Sequence, residues 1–183
     1  MARGFVELVC QEILLCPRPV KVGVAWSRTG RTRLFGEFLM RGLEQLVAMG
    51  KSIAVKGELK EDLRPEWRDD MLPLDPRVGT LKARIDERGM TPAIQAEVRS
   101  YFVRWINECE NSRRVAGRLS GLLRDAMAER SGREWRLSIY FSHEFAIAAF
   151  NRHVLHVPED EMFPDLAEFV RAEGGHYYYR GWR

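Results

Sequence analysis

Along the chain the apolar positions change period several times, and each change predicts an element. Phe5, Leu8, Val9, Ile13 and Leu14 recur at helical spacing, so residues 3–15 are predicted as a short amphipathic helix, ended by Cys16-Pro17-Arg18-Pro19. Val20, Val22, Val24 and Trp26 then alternate with Lys21, Gly23 and Ala25, the period of a half-buried strand. Residues 27–31, Ser-Arg-Thr-Gly-Arg, read as a hairpin turn: Gly30 supplies a positive φ, and Thr32, Leu34 and Gly36 continue on a returning strand. A competing alignment sets residues 25–32 on the phosphate-loop pattern G-x-x-x-x-G-K-[ST], ahead of helical Phe38, Leu39, Leu43, Leu46 and Val47. Ala25 stands in that pattern's first glycine position and Arg31 in its lysine position, so turn chemistry favours the hairpin.

The helix through Leu46 is expected to stop at Gly50, a suitable C′ residue, and residues 52–59 to form a strand. Residues 60–89 lose periodicity, with Pro65, Pro73 and Pro76 between charges. Trp67, Met71, Leu72 and Leu74 there predict an irregular segment packed on the domain or on a partner. Thr91-Pro92 is a helix start. Val98, Phe102, Trp105, Cys109, Ser112, Ala116, Leu119, Leu123 and Ala126 follow as a heptad-like stripe. Its weak middle predicts two helices over residues 92–130, the second capped by Asn111-Ser112.

The densest aromatic and β-branched stretch is residues 134–158. Trp135, Leu137, Ile139 and Phe141 alternate, Phe145, Ile147 and Ala149 alternate again after Ser142-His143-Glu144, and Val154, Leu155 and Val157 follow Asn151-Arg152. This predicts an antiparallel meander. Pro164 is expected to open a last helix with Leu166, Phe169 and Val170 on one face, ended by Gly174-Gly175. The predicted fold is one α+β domain over residues 1–183, a hairpin near 20–36 and a meander at 134–158 packed against several helices.

Composition narrows the classes. A hydrophobic share of 45% and a charged share of 30% in 183 residues exclude wholesale disorder. No apolar run approaches the roughly 18 residues of a membrane span. Glu7, Gln11 and Glu12 argue against a secretory leader, and three cysteines without CxxC spacing predict a reducing, cytoplasmic setting. The net charge of +3 is small, but arginines gather at residues 28–33, 113–118 and 180–183.

No catalytic, cofactor or metal site emerges from these patterns. His153 and His156 would point to opposite faces of a strand, and Ile147 breaks the H-E-x-x-H pattern that begins at His143. Ser142, His143 and Glu144 are the right types for nucleophilic chemistry, but sequence neighbours on a strand diverge. The remaining candidates are contact residues: Arg28, Arg31 and Arg33 at the hairpin tip, Trp67 in the irregular segment, and Tyr177, Tyr179, Arg180, Trp182 and Arg183 in the tail. They predict a non-enzymatic subunit of a larger assembly, with a protein partner or second copy. A nucleic-acid-binding regulator is the first alternative, and an enzyme of unassigned type the second.

Overall fold

The structure is a computed structural model that describes residues 2–27, 30–60, 67–128, 134–163, 169–173 and 176–180, with the backbone alone for Ala2, Arg3, Arg31 and for residues after 168. The chain divides into two compact units. Residues 1–64, 121–143 and 164–183 form unit 1, and residues 65–120 and 144–163 form unit 2.

Unit 1 contains α1 (Ala2–Leu15), β1 (Val20–Trp26), α2 (Gly30–Ala48), β2 (Ile53–Leu59), β3 (Trp135–Phe141), β4 (Phe169–Glu173) and β5 (His176–Arg180). β1, β2 and β3 make an all-parallel sheet in the order β2-β1-β3, and β4 pairs antiparallel with β5. The protein is therefore α/β with a Rossmann-like alternation, and the expected α+β fold is overturned. Residues 30–48 are helix, so the hairpin near 20–36 does not exist, and Gly30 opens α2 without a positive φ. Phe169 and Val170 lie on a strand, not on the expected last helix.

The period-2 pattern was correct and its meaning was not. Val20, Val22 and Val24 are buried against Val9 and Ile13 of α1 and Leu39, Leu43 and Leu46 of α2. Lys21, Lys56, Arg136 and Ser138, on the other face, are exposed. Parallel strands usually read as continuous apolar runs because helices cover both faces. Here the second face is covered only in part, at buried Ala25 and at Tyr140, whose O–H donates to Leu122 O at 3.5 Å, so most of its length alternates as antiparallel strands do.

α2 buries Thr32, Gly36, Leu39, Leu43 and Leu46, a stripe at helical spacing. Exposed Leu34 and a glycine in the buried row hid its first turns. It ends as expected at Gly50, whose φ is 86°. Gly50 N–H bonds Val47 O at 2.9 Å and Lys51 N–H bonds Leu46 O at 3.1 Å, the paired bonds of a Schellman cap.

Unit 2 contains α3 (Trp67–Met71), α4 (Arg77–Arg88), α5 (Pro92–Glu108), α6 (Glu110–Ala128) through Ser120, and α7 (Glu144–His153). Thr91 caps α5 as predicted, its hydroxyl accepting from Ile94 N–H, with Pro92 in the first turn. The break before α6 falls at Cys109, whose backbone is extended, instead of at Asn111-Ser112. Two expectations fail here. Residues 60–89 include α3 and α4, and the second part of the supposed meander is α7. Ala146, Ala148, Ala149 and Phe150 are all buried, so this helix is apolar on most sides, and alternation could not be told from helix. The three alanines, strong helix formers that are depleted in strands, were the discriminating signal.

An aromatic cluster organises the unit. Phe145 stacks on Phe102 at 4.6 Å between centroids and meets Trp67 and Trp105 edge-on at 5.9 and 6.0 Å. Trp105, fully buried, donates its indole N–H to Asp70 Oδ2 at 2.7 Å. No described helix of the protein is long and apolar enough to cross a membrane.

Candidate functional site

The register aligns the carboxyl ends of all three parallel strands, since Trp26 pairs with both Leu59 and Phe141. From β1 the chain goes through α2 to β2 on one side, and β3 lies on the other. Open α/β sheets bind ligands at the carboxyl ends of strands where the order reverses in this way. Here that place is between β1 and β3.

Three polar side chains meet there. Ser27 is the first residue after β1, His143 the second after β3, and Thr32 stands in the first turn of α2. Ser27 Oγ lies 2.7 Å from Thr32 Oγ1 and 3.1 Å from His143 Nε2, and Thr32 Oγ1–H donates to Ser27 O at 3.0 Å. Counting protons orders the chain. The Thr32 proton goes to the Ser27 carbonyl, so Ser27 Oγ–H donates to Thr32 Oγ1 and Ser27 Oγ accepts from His143 Nε2–H. In its neutral form His143 then carries its proton on Nε2 and its lone pair on Nδ1.

Ser27 is 0% exposed, so its hydroxyl is not placed to attack a substrate. It orients an imidazole that is half-buried. The same edge carries the N-terminus of α2, whose aligned peptide dipoles favour an anion. On the β2 side, Lys60 Nζ lies 3.0 Å from Glu58 Oε1, and that hydrogen bond is the main cause holding the Glu58 carboxyl below its ordinary pKa.

The phosphate-loop alignment does not fit this geometry. β1 runs through Ala25 and Trp26, which leaves residues 27–29 to connect it to α2, too few for a loop that wraps a nucleotide's phosphates.

The expected contact residues are dispersed. Arg28, Trp182 and Arg183 lie outside the described residues, and Arg31 is in the first turn of α2. Arg33 is exposed on the same helix and pairs with Glu37 at 3.4 Å. Trp67 belongs to the aromatic cluster of unit 2, 9% exposed. Tyr177, Tyr179 and Arg180 lie on β5, opposite Ala172, Val170 and Phe169 of β4.

The histidines also separate. His143 belongs to unit 1, whereas His153 ends α7 and His156 follows it, both in unit 2. Among the described residues no three His, Cys, Asp or Glu side chains are grouped so as to hold a metal. The sequence reading weighed His143 with Ser142 and Glu144, and missed Ser27, its partner 116 positions away. One signal was present: an apolar strand ends in Trp26-Ser27 and another in Phe141-Ser142-His143, placing polar groups at two strand ends. No family model, curated protein or solved structure matches this chain.

Proposed function

We propose that the protein binds a small phosphate-bearing ligand at the carboxyl edge of its parallel sheet, between β1 and β3. The observation that carries this reading is the 3.1 Å contact of Ser27 Oγ with His143 Nε2, which ties the two strand ends together beside the start of α2. The helix start supplies backbone N–H donors and a favourable potential. Imidazole, fixed through Ser27 and Thr32, supplies a charged donor when protonated. The enclosed Ser27 hydroxyl makes this a binding site without a serine nucleophile.

Calorimetric titration of the full chain with glycerol phosphate at low salt tests the reading. Binding is expected in the natural protein, and the component due to this edge should be about tenfold weaker in His143→Asn, the size of one charge-assisted hydrogen bond. An isotherm unchanged in a folded His143→Asn protein would remove the support.

An assembly subunit is the second reading. Leu34 and Phe38, one turn apart on α2, are 61% and 44% exposed, and apolar surface of this kind suits a protein partner or a second copy. Sedimentation of Leu34→Glu/Phe38→Glu beside the natural chain tests it: association should be lost, and identical behaviour would count against this reading.

A further inference from the structure

In unit 2, the middle of α6, the end of α7 and the turn after it surround an open cavity of about 700 Å³. Arg113, Arg152, His153 and His156 line it, with Asn107 of α5 and Gly117 of α6, and among the described residues no carboxylate does. Arg113 has no hydrogen bond or ion pair with any described residue, and Arg152 reaches only the Val157 carbonyl, at 3.4 Å. Glu159 meets the wall indirectly, accepting from Asn107 Nδ2 at 2.7 Å.

The imidazoles are fixed in different ways. His153 Nε2 lies 3.1 Å from Ile106 O, which can only accept, and 3.0 Å from Ser112 Oγ, so Nε2 carries the proton. His156 has a φ of 56°, a left-handed conformation that side chains other than glycine seldom adopt. Gly117 sits inside a helix, where glycine is unfavourable, yet a Cβ there would meet no atom within 4 Å. Packing therefore does not require the glycine, and its absent side chain leaves backbone bare at the cavity.

We propose that this cavity is a second ligand site, for a small phosphorylated molecule whose phosphate is held by Arg113, Arg152 and His156 above Gly117. Guanidinium groups match phosphate oxygens in bidentate geometry, and two of them beside two imidazoles suit a dianion. The volume exceeds what an inorganic ion fills and is that of a small-molecule pocket, about 300 to 1,000 Å³. No Phe, Tyr or Trp is among the described lining residues, so they offer no platform for the stacking that holds single-stranded nucleic acid. Its residues all belong to unit 2, whereas Ser27, Thr32 and His143 belong to unit 1.

Burial, reinforced by Arg113, Arg152 and His156, pushes the His153 imidazole below its ordinary pKa. It faces Arg113 from α6, Arg152 on its own helix and His156 from the following turn, with Glu159 beyond Asn107 of α5. A bound dianion reverses the balance of charge and raises it.

Imidazole NMR of the full chain, with its four histidines assigned by substitution, tests the site using glycerol phosphate as the probe. The His153 and His156 signals should shift and saturate, and the His153 titration midpoint should rise. Gly117→Glu places a carboxylate at the cavity from a Cβ that meets no atom within 4 Å, and should weaken the effect about tenfold or more while the thermal midpoint holds. Arg113→Ala, at an exposed side chain with no hydrogen bond or ion pair to a described side chain, should weaken it without loss of fold. The proposal is overturned if His153 and His156 stay unmoved while the protein is folded, or if Gly117→Glu binds as the natural chain does. Movement of His143 alone would support the carboxyl-edge reading and overturn this one. Tighter binding of a single-stranded oligonucleotide at these histidines would overturn the small-ligand assignment.

Discussion

A Cβ on Gly36 would stand 2.5 Å from Cε3 of Trp26, so α2 lies directly on the indole that ends β1. The far edge of the same ring leaves no room at Gly57 of β2, where a Cβ would come within 2.8 Å of Cη2. This contact sets how closely the start of α2 approaches the sheet, and Thr32, one turn earlier, thereby reaches Ser27. Gly36→Ala is expected to cost about 1 to 3 kcal/mol by overpacking. Gly121→Ala, where a Cβ meets nothing within 4 Å, is the control and should be neutral or stabilising by about 0.4 to 1 kcal/mol. Urea unfolding of the two variants checks the contrast.

In unit 2, Asp70 satisfies the buried Trp105 indole and also accepts from Asn111 Nδ2 at 3.0 Å. Asp70→Ala leaves the indole N–H buried without its acceptor, at an expected cost of about 1 to 3 kcal/mol. Asp70→Asn keeps an acceptor oxygen and should cost less. Denaturation midpoints that put the two variants level would contradict the assigned role.

Acid should weaken the same unit. The Arg77 side chain holds Asp75 to a pKa of about 2, and Arg84 followed by Tyr101 holds Glu97 to about 2. Both lie below their ordinary values of 3.8 and 4.5, so the unfolded chain takes up these protons first. Their contribution is complete above pH 4.5 and is lost as pH falls through about 2. Arg84→Gln should flatten that decline, read as the urea midpoint against pH. An unchanged slope in the variant would show that the Arg84–Glu97 pair does not cause it.

What could be read in the sequence was local. Thr91-Pro92 announced α5 and Gly50 closed α2, because caps are written in one or two residues. Strand direction is not written locally: Val22 between Lys21 and Gly23 reports one buried face and nothing about whether a neighbour runs parallel. Gly36, expected on a returning strand, lies in the buried row of α2, where Trp26 occupies the space a side chain would take. The site was harder still. Ser27, Thr32 and His143 are ordinary polar residues one by one, and only the register of β1 with β3 places them within hydrogen-bond reach.

The most direct measurement for the carboxyl-edge site follows the His143 imidazole by NMR while glycerol phosphate is added to the full chain, in the natural protein and in Thr32→Val. The variant removes the Thr32 hydroxyl that lies 2.7 Å from Ser27 Oγ, so it should lose about 1 kcal/mol of stability but remain folded in the cold. The account predicts a saturable shift of the His143 signal that is lost or much weakened in Thr32→Val. A His143 signal that stays unmoved in the natural protein, or that shifts alike in both proteins, would contradict it.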